Sequence, residues 1–221
     1  MSGTAAARQI LTGLHELMAT RQSAQEKLDR TVEIVGEALD SEVCSIYLLR
    51  SGMLELSATR GLNQSAVHVT RMAVGEGLTG TLVSNRATLN LAQAKAHPDF
   101  QYRPETGEEK FSSFAGVPIV YRERAVGALN VQHVDPRRYE DVEIEALQTT
   151  AMVLSELIVN AGLIDETSAD EAAPERSGPA QLTGLTLVAG LASGTAVYHQ
   201  PRITIDKVVA EDTEFERQRV Y

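Results

Sequence analysis

The sequence contains one cysteine, Cys44, in 221 residues, which excludes an internal disulfide framework and any multi-cysteine zinc site. So little cysteine is typical of a chain that works in a reducing cytosol. Basic residues are also scarce, because 20 lysines and arginines stand against 30 aspartates and glutamates, for a formal net charge of −10. This acidic balance disfavours nucleic acid and anionic membranes as partners.

Long hydrophobic runs are missing as well. No stretch approaches the roughly 18 apolar residues that a membrane-spanning helix needs, and residues 1–8 lack the apolar core of a secretory signal. We therefore expect a soluble, cytoplasmic protein. The composition, 43% hydrophobic and 23% charged, is that of a globular chain, with room for one ordinary domain plus a fragment or for two small domains.

Hydrophobic periodicity predicts a mixed α/β (α+β) chain with a largely antiparallel sheet. The predicted helices cover residues 10–18, 24–39 and 78–85, with a last long helix from about 139 to 161. The predicted strands cover residues 43–49, 54–58, 68–74, 88–91, 114–121 and 125–133. In the first hairpin, Leu54, Leu56 and Ala58 are expected to share one face. The hydrophobic residues in 92–110 follow neither helical nor strand spacing, which predicts a long loop.

The last predicted helix carries an apolar stripe at steps of three and four residues, the spacing of a short heptad seam. Such stripes are most often core, although this one could pair with its copy in a dimer. Its members are Ile144, Leu147, Ala151, Leu154, Ile158 and Ala161.

Composition changes sharply at Asp165. Residues 165–178 contain no large apolar side chain, which is typical of a linker. We therefore predict a first domain over 1–164, a linker over 165–180 and an incomplete second domain over 181–221, too small to stand alone comfortably.

Residues 75–80 (GEGLTG) match the dinucleotide fingerprint G-x-G-x-x-G. The context is wrong, because Asp99, the acid at the right distance, follows His97-Pro98 in a loop rather than ending a parallel strand. A nicotinamide or flavin site is therefore disfavoured. A glycine-rich helix N-terminus still favours an anion, while glycines that only permit a tight turn are an equally good explanation.

Two further kinds of site are disfavoured. Cys44 is more readily explained as a small buried apolar residue than as a redox nucleophile. The five histidines are scattered, without a pair at metal-ligand spacing, so we expect no metal site.

The predicted loop combines both charge signs with aromatic residues. A zwitterionic small molecule needs a cation for its carboxylate and an acid for its ammonium, over an apolar floor. We expect Arg71 or Arg103 to hold the carboxylate and Asp99 or Glu109 the ammonium. The other candidate ligand-binding residues are Gly77, Tyr102 and Ser113. An ordinary solvated surface loop remains the alternative.

The order of these segments resembles a GAF domain. The resemblance rests on the two N-terminal helices, the hairpin and the segments 75–82 (GEGLTGTL), 114–120 (FAGVPIV) and 125–132 (AVGALNVQ). Segments 97–100 (HPDF) and 103–109 (RPETGEE) are similar to the GAF domain of nitrogen-related phosphoenolpyruvate–protein phosphotransferases (Enzyme I of the nitrogen phosphotransferase system). Residues 185–202 resemble the start of the phosphotransferase portion of that family.

The resemblance implies a nitrogen-status sensor with glutamine as leading ligand, dimerising through its N- and C-terminal helices. It controls phosphoenolpyruvate-dependent phosphorylation of a histidine, from which the phosphoryl group passes to a histidine-containing phosphocarrier protein. The phosphorylated histidine and the magnesium site belong to a portion that this sequence lacks. We therefore expect a regulatory piece with no catalytic activity and no cofactor of its own.

Two other functions compete with ligand sensing. One is a pure dimerisation module whose cavity is filled by its own side chains. The other is a GAF-type methionine sulfoxide reductase, which is disfavoured because those enzymes rely on several cysteines and this chain has only Cys44.

Overall fold

The computed structural model describes residues 2–164, so the predicted linker and second domain lie outside the described residues. This part of the chain contains four helices and six strands, with short 3₁₀ turns at 64–66, 94–96 and 108–110. The helices are α1 (Gly3–Met18), α2 (Ala24–Ala38), α3 (Gly77–Asn85) and α4 (Asp141–Asn160). The strands are β1 (Val43–Arg50), β2 (Met53–Arg60), β3 (Arg71–Ala73), β4 (Leu89–Leu91), β5 (Ser113–Tyr121) and β6 (Arg124–His133).

All six strands form one antiparallel sheet in the order β3-β2-β1-β6-β5-β4. The predicted antiparallel α+β fold is confirmed. The predicted strand at 68–74 shrinks to three residues, because His68 has a left-handed φ of 62° and interrupts the extended backbone.

One predicted alternation is wrong. Leu54 and Leu56 face the same side of the sheet, but Ala58 packs with the opposite core. The β1–β2 register shifts between Ile46 and Tyr47, so Ser57 is an extra residue in β2. A β-bulge of this kind reverses the faces of the residues beyond it.

Three helices cover one face of the sheet. The apolar sides of α2 and α4 pack against alternate residues of the strands, such as Ile46, Leu48 and Leu129, and α1 packs against α2 and α4. Helix α2 starts with a capping box, in which Ser23 accepts a hydrogen bond from the Glu26 N–H and the Glu26 carboxylate accepts one from the Ser23 N–H.

The opposite face carries α3 and the segment between β4 and β5, residues 92–112, which we call the roof segment. Helix α3 lies directly on the sheet, because a Cβ added at Gly116 of β5 would stand 2.6 Å from Cδ2 of Leu82. A Cβ at Gly80 would stand 2.6 Å from the Ala73 carbonyl oxygen of β3. The absence of a side chain at these two glycines therefore allows the middle of α3 to pack closely on β3 and β5.

Four of the six residues in the apolar stripe of α4 lie in the core of their own chain, while Ile144 is half-buried and Ala161 is exposed. Leu147, Ala151, Leu154 and Ile158 are each at most 2% exposed, among residues of α1, α2 and the sheet. The stripe therefore packs within one chain, and pairing of two chains through it would require this core to open. Among residues 2–164, no helix is both long and apolar enough to cross a bilayer.

We expect Leu154→Ala to lower the free energy of unfolding by about 2–5 kcal/mol, because it leaves a cavity in a closely packed core. Urea denaturation measures the loss, and light scattering on the same samples should show an unchanged oligomeric state. The matched control is Met152→Ala on the same helix, whose side chain is 63% exposed and whose loss should change stability by less than about 0.5 kcal/mol. A variant that changes its oligomeric state at unchanged stability would show instead that the stripe lies in a subunit interface.

Candidate functional site

A small cavity lies between the sheet and the roof segment. Its free volume is about 30 Å³, enough for about two water molecules. The floor comes from the strands, one wall from the start of α3 and the cover from the roof segment. The lining residues are Tyr47, Met72, Gly77, Leu78, Thr79, Ala94, Phe100, Gln101, Arg103, Glu108, Phe111, Phe114 and Gln132.

Arg103 supplies the positive charge of the cavity. Its side chain is only 17% exposed. Its Nη2 donates to Oε1 of Glu76 at 2.6 Å, and its Nη1 donates to the Arg71 carbonyl at 3.2 Å. The Ala73 N–H bound to the Glu76 carboxylate, together with the Arg103 charge, lowers the pKa of Glu76. Glu76 is therefore ionised at neutral pH and holds the guanidinium at the cavity.

Glu108 supplies the negative charge. Burial raises the pKa of its carboxyl above the ordinary range, although the hydrogen bond from Gln132 and the Arg103 charge act in the opposite direction. Nε2 of Gln132 donates to Oε2 of Glu108 at 3.4 Å. Tyr47, 3% exposed on the floor, has a phenol whose pKa is raised by burial and by the nearby Glu108. A half-buried carboxylate beside a cavity can accept an ammonium group.

The N-terminus of α3 forms one wall. Gly77 begins the helix with a left-handed φ of 65° and lines the cavity beside Leu78 and Thr79. Backbone N–H groups of a first helical turn lack partners within their helix and favour an anion. The Thr79 hydroxyl accepts from the Asn130 amide at 3.0 Å, which ties this turn to β6.

Of the residues predicted as ligand-binding, the structure brings Arg103 and Gly77 together in the cavity lining. It places Arg71 elsewhere, because its guanidinium bonds Glu55 and lies on the opposite face from the neighbouring Met72, which lines the cavity. Ser113 also belongs to the opposite face, since it alternates with Phe114 and shares the parity of the helix-side residue Ala115.

The remaining predicted residues lie outside the cavity lining. Asp99 accepts a hydrogen bond from the Thr81 hydroxyl at 3.2 Å, on α3. Tyr102 and Glu109 are both exposed and hydrogen-bond each other on the outer side of the roof segment. This hydrogen bond therefore connects two residues of the roof segment and does not reach the cavity.

Sequence reasoning missed Tyr47, Glu108 and Gln132. A signal existed for Gln132, because it and Asn130 are polar residues that alternate with apolar ones in the second half of β6, and both face the α3 side. Glu108 and Glu109 are neighbours in a segment without periodicity, so nothing in the sequence showed which of them turns inward. No cluster of metal-ligating residues occurs within residues 2–164.

The profile of the GAF domain family matches residues 23–158. The chain belongs to the GAF domain family. Among curated proteins, it is 35% identical over 154 residues to a phosphoenolpyruvate-dependent phosphotransferase system protein of Escherichia coli K12, and 33% identical to one of Salmonella typhimurium LT2. Each match covers 67% of this chain, which spans only 21% of those relatives.

Solved GAF domains resemble this chain in both structure and sequence. The GAF domain of a phosphoenolpyruvate–protein phosphotransferase from Coxiella burnetii is 29% identical, with a TM-score of 0.69, covering 74% of this chain and 98% of that one. The corresponding domain from Acinetobacter is 30% identical, with a TM-score of 0.63 and the same coverage. A free methionine-R-sulfoxide reductase from Neisseria meningitidis, at 21% identity and a TM-score of 0.63, covers 74% of this chain and 95% of its own and shares the fold.

The thiol of this GAF domain lies away from the cavity. Cys44 is 0% exposed and packs in the core beneath the helices. Burial raises the pKa of its thiol far above the ordinary range, so the thiolate needed for redox chemistry does not form at neutral pH.

We expect the native Cys44 thiol to react with a disulfide reagent such as Ellman's reagent at least ~100-fold more slowly than the same thiol in urea, because reaction requires the core to open. Absorbance of the released thiolate measures both rates. Rapid reaction of the native chain would contradict the buried position and would reopen the reductase hypothesis.

Proposed function

We propose that this chain is the regulatory GAF domain of a phosphoenolpyruvate–protein phosphotransferase and that it binds a small zwitterionic metabolite, with glutamine as the first candidate. The GAF relatives that carry the phosphotransferase name support the context. Control of histidine phosphorylation and of transfer to a histidine-containing phosphocarrier belongs to this proposal for the whole protein.

The observation that carries the proposal is the pair of opposite charges in one cavity. Arg103 offers a guanidinium that suits a carboxylate, and the first turn of α3 at Gly77 adds free N–H groups. Glu108 offers a shielded carboxylate for an ammonium. Phe111 and Phe114, 2% and 3% exposed, give the apolar surface between them. This arrangement matches both ends of a free amino acid.

Binding requires the cavity to grow. Ligand pockets usually enclose about 300–1,000 Å³, whereas this one has about 30 Å³. Helix α3 packs closely on the strands at Gly80 and Gly116, whereas the roof segment contains only short 3₁₀ turns. The roof segment is held by several hydrogen bonds, including Asn63 Nδ2 to the Glu105 carbonyl at 2.9 Å and Arg103 to Glu76, and by the buried Phe111. Outward movement of this segment, with loss of some of these contacts, is how the ligand enters in this proposal.

The small volume also favours a second candidate, a GAF domain whose cavity stays filled and which serves self-association. Leu11 on α1 and Met152 on α4 are 43% and 63% exposed, so the terminal helices retain apolar residues outside the core. In this case glutamine would produce no heat in calorimetry, and light scattering would show a stable dimer with or without it.

We expect isothermal titration calorimetry to show glutamine binding to the full chain and a loss of at least ~10-fold in affinity for Arg103→Met and for Glu108→Gln. Charge-assisted hydrogen bonds contribute about 1.5–3 kcal/mol each, which corresponds to this loss. Both variants keep side chains of similar size, so the fold is retained.

The matched controls for this titration are Asp99→Asn and Glu109→Gln, which alter carboxylates of the same roof segment that lie outside the cavity lining. Their affinities should stay within about twofold of the unaltered chain. Absence of heat from millimolar glutamine and from other free amino acids would remove the ligand-binding proposal, and equal losses in controls and cavity variants would place the ligand elsewhere.

We also expect Glu108→Gln to be more stable than the unaltered chain at neutral pH. Folding raises the pKa of Glu108, chiefly by burial. The charged carboxylate therefore destabilises the folded state, and protonation of Glu108 removes this destabilisation. The stability difference should therefore shrink as pH falls from about 7.5 through the raised pKa. Urea denaturation at several pH values measures it, with the exposed Glu109→Gln as the control. A pH-independent difference would contradict the raised pKa.

A further inference from the structure

The carboxylate of Glu55 joins the edge of the sheet to the end of the last helix. Its side chain is 4% exposed. Oε2 accepts from Nε and Nη2 of Arg71 at 3.0 and 2.6 Å, and Oε1 accepts from Nη1 of Arg50 at 3.1 Å. Nε of Arg50 then donates to the Leu163 carbonyl at 2.9 Å. Strands β1, β2 and β3 are thereby tied to the chain just after α4.

The same set of bonds begins at the cavity. Arg103 of the roof segment donates to the backbone carbonyl of Arg71 at 3.2 Å, while the Arg71 guanidinium binds Glu55 on the opposite face. Within residues 2–164, β3 is an edge strand of three residues that pairs with β2 alone. A short edge strand is held by few bonds, so loss of one of them changes its position more readily than that of a central strand.

We propose that occupancy of the cavity reaches the end of α4 through this chain of bonds, from Arg103 through Arg71, Glu55 and Arg50 to Leu163. The inference rests on the proposed function and says how ligand binding would be transmitted from the cavity to the last helix. It makes Glu55, Arg50 and Arg71 positioning residues, which contact one another and not the ligand.

The Arg103 guanidinium has two alternative sets of partners in this proposal, one without ligand and one with ligand. In the present structure its guanidinium binds Glu76 and the Arg71 carbonyl. A ligand carboxylate competes for the same donors, and movement of the roof segment withdraws them from Arg71. A ligand shifts such an equilibrium because it interacts differently with the two states. Release of the Arg71 carbonyl then loosens β3 and the bonds of Glu55.

Glu55 is suited to transmit this change because it remains ionised. Burial acts to raise its pKa, but hydrogen bonds from His68 and Arg71 and the charges of Arg50 and Arg71 outweigh it and lower the pKa. Hydrogen bonds to an ionised acceptor are roughly twice as strong as neutral ones. Both oxygens of Glu55 are occupied by donors from different elements, so displacement of one donor shifts the others.

Hydrogen–deuterium exchange of the full chain tests the inference at Ala161, Gly162 and Leu163. Their N–H groups donate to the carbonyls of Leu157, Val159 and Ile158 at 3.0 Å each. Arg103→Met in the absence of ligand should speed exchange at these amides at least threefold. The same substitution in an Arg50→Met background should add less than 1.5-fold, because the connection to Leu163 is already broken.

The matched control is Arg60→Met. The Arg60 side chain is 31% exposed, as is that of Arg50. It likewise binds one carbonyl, that of Ser41 at 2.6 Å, and one carboxylate, that of Glu33 at 3.1 Å. Its loss should leave the three amides within 1.5-fold of the unaltered chain. Glu55→Gln keeps the shape of the side chain and should act as Arg50→Met does.

The failure of this inference is separable from that of the proposed function. Glutamine that binds in calorimetry and leaves exchange at residues 161–163 unchanged overturns the inference and leaves the function standing. Absence of binding overturns the function, and the ligand-free comparison then decides the inference alone. In that comparison, two results would overturn the inference. One is that Arg103→Met leaves exchange at residues 161–163 unchanged. The other is that Arg103→Met speeds this exchange equally in the Arg50→Met or Glu55→Gln background.

Discussion

Alternation along the strands is the constraint on which the rest of this GAF domain depends. Each strand residue faces either α1, α2 and α4 or the α3 side, and both faces are buried. Successive residues therefore have unrelated environments. Met72 lines the cavity, while its neighbour Arg71 lies in the ionic cluster of Glu55. A one-residue change of register would exchange these roles.

Burial of both faces also explains what the sequence could and could not predict. The helices and most strands are predictable from the spacing of hydrophobic residues and from turn-forming residues, because both signals are local in the sequence. In segment 114–120 both alternating sets are small or apolar, so no polar side marks which residues face the cavity. Position alone therefore suggests Ser113 as a site residue, although it shares the face of the helix-side residue Ala115. The bulge at Ser57 depends on pairing between β1 and β2, which no single strand reveals.

The candidate site shows the same limit more strongly. Arg103 and Gly77 were predictable because a cation in a charged loop and a glycine at a helix start each have a local chemical meaning. Glu108 was not, since its selection over Glu109 depends on the path of the roof segment. Its inward position carries an energetic cost of burial that only a three-dimensional environment defines. Perturbed carboxyl pKa values of this kind cluster at functional sites and also occur in structural ion pairs.

The short contacts at Gly80 and Gly116 have a consequence for how this fold diversifies. A side chain at either position would meet the Ala73 carbonyl or the Leu82 side chain, so a bulkier residue there would disturb the packing of α3. The residues that line the cavity on the strands, on α3 and on the crossover from β4 to β5 can change without touching these two positions. Homologues that keep both glycines can therefore differ in selectivity on one scaffold.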